Sequence, residues 1–118
     1  LEQLKEQCDG CAIVSLSGAV CGTQGEFSNP NAEIQFWPTL FQRPEETKIN
    51  GVKFNGQKMF VIRAEEDYIV AHRDNRVVIM QKANTVLVVA HANTEKFRPR
   101  DINTEVGRVV STFLSLNV

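Results

Sequence analysis

Residues 49–91 read INGVKFNGQKMFVIRAEEDYIVAHRDNRVVIMQKANTVLVVAH, and this stretch decides the fold. It holds the apolar-rich runs VKF, KMFVIRA, YIVAHR, RVVIMQK and TVLVVAH. Between them stand Asn55-Gly56, Glu65-Glu66-Asp67, Asp74-Asn75 and Ala83-Asn84. Asn-Gly between two such runs is a strong hairpin signal, because both residues accept the positive φ of a tight primed turn. Asp-Asn and Ala-Asn are weaker signals of the same kind, since asparagine tolerates left-handed backbone angles. A parallel connection would need a crossover of about a dozen residues, which none of these loops supplies. The stretch is therefore an antiparallel meander, and the other elements are arranged around it.

Upstream, Leu1, Leu4, Lys5 and Cys8 share one face at helical spacing, and Asp9-Gly10 ends that helix with the backbone freedom of glycine. Residues 11–17 read as a strand, Gly18 as a turn and residues 19–23 as the returning strand. A helix opens near residues 28–30, with Asn29 as its cap and Pro30 at its first position. Ile34, Trp37 and Phe41 form its buried face, widened by Phe36 and Leu40, and Pro38 is expected to kink or shorten it. Residues 43–48 read as a polar connector. Downstream, residues 92–98 form a polar loop, and Pro99 starts a final helix with Asp101 in its first turn. Ile102, Val106, Val109, Val110, Phe113 and Leu114 line one side of that helix. The expected fold is α+β, a single domain over residues 1–118. A central antiparallel sheet of about seven strands carries the terminal helices on one face and the shorter Trp37 helix on the other.

Thirteen basic and 14 acidic residues give a net charge of −1, which offers no general argument for nucleic acid or an anionic membrane as partner. Three cysteines, an odd number, point to a reducing cytosol rather than a disulfide framework. No run approaches the roughly 20 apolar residues of a membrane span.

Catalytic readings find little support. The two histidines, His72 and His91, both fall in alternating strands, and a catalytic triad is a matter of geometry rather than of local sequence. Glu65, Glu66 and Asp67 read as a solvated hairpin loop rather than a cation site. Cys8-x-x-Cys11 lacks the second ligand pair of a structural zinc site, and Cys21 alone does not supply it, so core packing is the reading of that pair. The glycines at 18, 22 and 25 do not make a phosphate loop. Trp37 reads as core. No enzyme, metal or cofactor is expected. Binding is the better theme: Lys53, Lys58 and Arg63 lie among the meander strands and Arg98, Arg100 and Arg108 surround the start of the last helix. With Phe97 exposed among them, they would make an arginine- and aromatic-containing surface of the kind interfaces favour.

Ile49-Asn50-Gly51-Val52, followed by GQKMFVIRA over residues 56–64, resembles the profilin signature. Ala12-Ile13-Val14, Ala19-Val20-Cys21, Pro99 and Asn103 fit the same pattern, so the resemblance covers nearly the whole chain. It is that of a divergent profilin lacking the first residues of the N-terminal helix. The resemblance implies a cytoplasmic, cytoskeletal monomer that regulates actin polymerisation. Profilins bind monomeric actin at its barbed-end face, blocking pointed-end addition while allowing delivery to barbed ends, and they bind proline-rich segments and acidic phosphoinositides.

Carried onto this chain, the actin face falls on Lys48, Ile49, Lys58, Phe60, Ile62, Arg63, Phe97, Arg98 and Asn103. Strand alternation does not let Phe60, Ile62 and Arg63 all point outward unless a bulge intervenes, and the side chain at risk of facing the core is that of Ile62. The proline-rich site falls on Cys21, which replaces the family's strand tryptophan, and on Phe113 and Leu114. The phosphoinositide site falls on Arg98, Arg100 and Arg108. Two other readings stay open at this level: a profilin-like adaptor or lipid-binding protein without actin binding, and a ligand-sensing module of PAS or longin type.

Overall fold

The computed structural model describes residues 2–118, so Leu1 and its place on the first helical face lie outside the described residues. Along the chain run α1 (Glu2–Lys5), β1 (Gly10–Ser15), β2 (Val20–Gly25), α2 (Asn31–Leu40) and α3 (Pro44–Asn50). The meander follows as β3 (Val52–Phe54), β4 (Gln57–Ala64), β5 (Tyr68–Arg73), β6 (Arg76–Lys82) and β7 (Val86–Asn93), and α4 (Pro99–Ser115) closes the order. The sheet has the strand order β2-β1-β7-β6-β5-β4-β3, with every neighbour antiparallel. The first hairpin thus docks on the far edge of the meander, from Gly10 opposite His91 to Ser15 opposite Val86. Asn55 (φ 52°) and Gly56 (φ 79°) both take the left-handed turn conformation that Asn-Gly supplies at low cost.

Strand alternation divides the core into two layers. Leu87 and Val89 of β7 and Val78 and Met80 of β6 face Ile34, Trp37 and Leu40 of α2. Val86, Val88, Ala90, Val77 and Ile79 point the other way, onto Leu4 beside α4's Ile102, Val106 and Val110. A strand covered on both faces has no polar side to show, which is why VVIM and VLVVA read as unbroken apolar runs. The terminal helices share one face and α2 takes the other. No described helix is long and apolar enough to cross a membrane.

The structure corrects the expected elements at several points. The connector at residues 43–48 is instead α3, with Pro44 in its first turn, Glu45 and Glu46 at the favourable end of its dipole and Gly51 (φ 79°) just past its end. The first helix stops at Lys5 rather than reaching Cys8. Asn29 is not a cap: Pro30 holds that position in α2, and the Asn29 amide donates instead to Glu33 at 2.7 Å. The Glu33 carboxylate also accepts the backbone N–H groups of Asn55 (2.6 Å) and Gly56 (3.0 Å), so α2 clamps the hairpin turn that begins the meander.

His91 closes the sheet on the α2 side. Its Nδ1 faces an Arg76 guanidinium N–H at 2.9 Å, so Nδ1 must accept and the ring's proton sits on Nε2, which donates to the Glu26 carbonyl. Arg76 in turn pairs with Asp9 at 3.0 Å, and Asp9 accepts the Asn93 N–H at 2.7 Å. Burial pulls His91 below its ordinary value, with Arg76 adding to that effect and the Glu26 carbonyl opposing it. The unfolded chain then binds a proton near pH 6.5 that the folded chain refuses. This contribution to stability is full above that pH and is lost as pH falls through the depressed folded value. Lowering pH from ~7.5 to ~5.5 should therefore reduce the melting temperature more steeply in the parent than in His91→Gln. Equal slopes in a thermal scan would remove His91 as the titrating group.

Candidate functional site

On β4 the side chains of Lys58, Phe60, Ile62 and Arg63 are exposed, while Met59 and Ala64 are buried. Simple alternation cannot produce this pattern, and the pairing with β5 shows its cause. Phe60 and Val61 face His72 and Ala71, whereas the next pair is Arg63 with Val70. Ile62 is the extra residue of a β-bulge, a device that re-aims side chains. The bulge keeps Phe60 (54% exposed), Ile62 (63%) and Arg63 on the outer surface together. Ile62 therefore does not turn into the core.

The register carries this surface across the sheet toward α4. Arg63 stacks over the Tyr68 ring at 4.7 Å and forms an ion pair with Glu65, whose hydrogen bond raises the guanidinium above its usual value. Tyr68 lies opposite Gln81, and Gln81 donates to the Asn103 side-chain carbonyl at 2.9 Å. Burial raises the Tyr68 phenol, against the pull of Arg63 and of a hydrogen bond with Asn103. Arg63, Tyr68, Gln81 and Asn103 thus form one connected polar row from β4 to α4. Lys58 sits 5.8 Å from the Phe60 ring centre, and its backbone carbonyl accepts from Arg73 at 3.0 Å.

Lys48 and Ile49 stand at the end of α3, which packs on β4; Ile49 is 78% exposed and Lys48 pairs with Glu45 at 3.1 Å. Arg98 stands exposed at the N-cap position of α4 without a side-chain cap hydrogen bond, with Arg100 exposed two residues on. Phe97 differs from the expectation of an exposed ring. It is half-buried and packs against the α4 side of the core.

Other expected residues are not brought together. Arg108 lies ~12 Å along α4 from Arg100 at 1.5 Å per residue. Its guanidinium is engaged by Glu105 and Gln3 rather than left beside the other two arginines. Phe113 lines a groove of about 460 Å³ with Gln3, Leu4, Ile13, Val109 and Thr112, between α1 and α4. Leu114 instead borders a separate hollow with Pro44, Glu66 and Lys82, and Cys21 is exposed on edge strand β2 outside the groove lining. Tyr68, His72 and Gln81 share the outer face with Phe60 and Arg63 but were absent from the expected residues. Pairing β5 and β6 across their short loops would have found them, since the register puts them opposite residues already chosen.

A family model described as Profilin matches residues 2–118. No curated protein sequence matches the chain. Among solved structures, Schizosaccharomyces pombe profilin superposes with a TM-score of 0.87 at 24% identity, covering 97% of this chain and 90% of that one. LokiProfilin2 in its complex with rabbit actin gives 0.79 at 16% identity, covering 98% and 92%. Mouse profilin IIa in complex with a double repeat from the FH1 domain of mDia1 gives 0.75 at 19% identity, covering 100% and 96%. At such identities these structures speak for the fold, and the family model speaks for the family.

Proposed function

The chain belongs to the profilin family, a non-enzymatic actin-binding family, and on that premise we propose that it binds monomeric actin and regulates its polymerisation in the cytoplasm. The face we assign to actin is the outer surface of β4 with its extension to α4. It comprises Lys58, Phe60, Ile62, Arg63, Arg98 and Asn103, flanked by Lys48 and Ile49 and backed by half-buried Phe97. The observation that carries this reading is the bulge at Ile62, which gathers two large apolar side chains and an arginine on one exposed surface. An exposed apolar cluster rimmed by cations is costly for a protein alone and useful for one that docks. Occupying actin's barbed-end face, it would prevent pointed-end addition and leave delivery to barbed ends open.

Titration of the purified chain against monomeric actin, followed by calorimetry or fluorescence, tests the proposal. Absence of binding at about 100 μM, a free energy weaker than ~5.5 kcal/mol, would leave an adaptor without actin binding as the reading. Lys58 pairs with no carboxylate among the described residues, so its charge is available to a partner. Lys58→Glu should weaken the complex by roughly tenfold, mostly in the association rate and more at low salt. A salt-independent, unchanged affinity would remove Lys58 from the face.

The groove holding Phe113 supports a second, narrower reading, a site for proline-rich segments. Apolar grooves of this kind dock a preformed polyproline helix at low entropic cost. Here one aromatic ring lines it, so the affinity we expect is low. For acidic phosphoinositides, the exposed pair Arg98 and Arg100 at the start of α4 is the assigned contact, with Arg108 on the α1 side of the helix as a separate charge.

A further inference from the structure

We propose that the hollow at the β3 edge of the sheet is a docking site for an acidic peptide segment that carries an apolar side chain. The hollow has a volume of about 660 Å³ and lies where α2 meets the β3–β4 hairpin. Its apolar wall is made by Pro30, Ala32, Phe36 and Trp37, and its other wall carries Lys53 and Lys58. Phe36 is 61% exposed, a ring left without cover, whereas Trp37 is buried.

The two lysines set the charge of the partner. Lys53 lies directly opposite Lys58 in the register of β3 with β4, so both side chains stand on one face. Like charges so placed destabilise a strand pair. Neither lysine pairs with a carboxylate among the described residues, and Arg73, donating to the Lys58 carbonyl at 3.0 Å, adds a third cation alongside. Gly51 helps to place the charge: a Cβ there would lie 3.0 Å from Lys58 Cε, so the lysine stem runs over the glycine at the rim of the hollow. The Glu33 carboxylate also borders the hollow, but it is already matched by the Asn29 amide and the backbone N–H groups of Asn55 and Gly56.

The same contacts separate the occupants. A lone phosphate would use the lysines and leave the apolar wall bare, and the N–H groups of the Asn55-Gly56 turn that would cradle it are spent on Glu33. A bilayer is flat and does not enter a concave site. A peptide chain supplies both chemistries at once: carboxylates for Lys53 and Lys58, and between them an apolar side chain that covers Phe36. The site shares only Lys58 with the face assigned to actin and does not depend on that assignment.

Trp37 supplies the readout. It is the chain's single tryptophan, and its Nε1–H, held by the Lys53 carbonyl at 3.1 Å, gives one indole cross-peak in a proton–nitrogen NMR spectrum. The full chain, with no actin present, is titrated to millimolar concentration with a hexapeptide in which acidic residues flank a Phe-Leu pair. Saturable movement of the cross-peak is expected, with affinity falling as salt rises from ~50 to ~300 mM. Replacing the peptide's acidic residues with lysine, or its Phe-Leu pair with serines, should weaken binding roughly tenfold or more. On the protein, Lys53→Glu and Phe36→Ala should do the same, and because both side chains are exposed the melting temperature should hold. A cross-peak that stays still, or equal binding by the serine peptide or by Lys53→Glu, would overturn the site. So would a chain that ignores the peptide but sediments with phosphatidylserine vesicles in a Lys53-dependent way, since this corner would then serve a membrane surface. Failure here leaves actin binding untouched, and failure of the actin titration leaves this site standing.

Discussion

Phe60→Asp should weaken binding to monomeric actin by at least ~2 kcal/mol, about a 30-fold loss, while the domain stays folded. The partner-facing loss arises twice over. An aromatic ring at the centre of an apolar cluster typically contributes the most per residue to an interface, and a carboxylate in its place must be desolvated as the complex forms. The folded-state cost is small because the ring is already 54% exposed and packs only against its neighbours on the sheet surface. Losing an aromatic residue from a strand costs ~1 kcal/mol, roughly 3–6 °C in melting temperature for a domain of this size. Lys58, two residues along the same face, also offsets the new charge. A matched control makes the result specific. Val20 is 43% exposed on β2, at the opposite edge of the sheet, so Val20→Asp should leave actin affinity unchanged. If both variants bind actin as the parent does, the β4 surface is not the contact. If both lose binding equally, the effect is one of general stability, and circular dichroism melts of the two will show it.

The sharing of one face by Phe60 and Arg63 also shows how far local sequence reaches. Asn55-Gly56 and the alternating runs after it announce the meander because each signal is local: a turn of two residues and a period of two. The two-layer arrangement was equally open to reading, since RVVIM and VLVVA carry apolar residues on both parities and so need cover on both faces. The bulge at Ile62 was not legible as a fact. Alternation alone showed that Phe60, Ile62 and Arg63 shared a face only if such an irregularity existed, but its position depends on β4 pairing with β5. α3 was missed for a different reason. PEETKIN carries a proline start, two early carboxylates and a following glycine, yet seven residues are too few to display helical periodicity. Tyr68 and Gln81 were missed because they join the face through register. Leu114 separated from Phe113 because adjacent residues on a helix point about 100° apart, so one residue of the stripe meets α1's groove and the next meets the hairpin loops.

Trp37→Ala should destabilise the domain by about 3–5 kcal/mol, a large share of the ~5–15 kcal/mol that holds a domain of this size together. The indole is 1% exposed, lies flat on Phe54 with ring centres 5.7 Å apart and planes 6° apart, and meets Phe27 edge-on at 6.0 Å. Truncation removes this apolar contact and leaves a cavity between α2 and the sheet that neighbouring rings cannot fill without leaving their own packing. A second loss is polar. Nε1 donates to the Lys53 carbonyl at 3.1 Å, so α2 both covers the α2-facing layer and ties down β3, the strand at the sheet's edge. Trp37→Phe separates the two contributions: it keeps most of the ring and deletes the donor, leaving that carbonyl short of one partner at a cost of ~1–3 kcal/mol. Denaturant melts should therefore rank the parent above Trp37→Phe and Trp37→Ala last, followed by circular dichroism because Trp37 is the chain's single tryptophan. The folded fraction of Trp37→Phe should still bind actin with parental affinity, since α2 and the β4 surface lie on opposite sides of the sheet. A Trp37→Ala variant within ~1 kcal/mol of the parent would mean that α2 is peripheral to the core, and the α2-facing layer would then have to be held together without it.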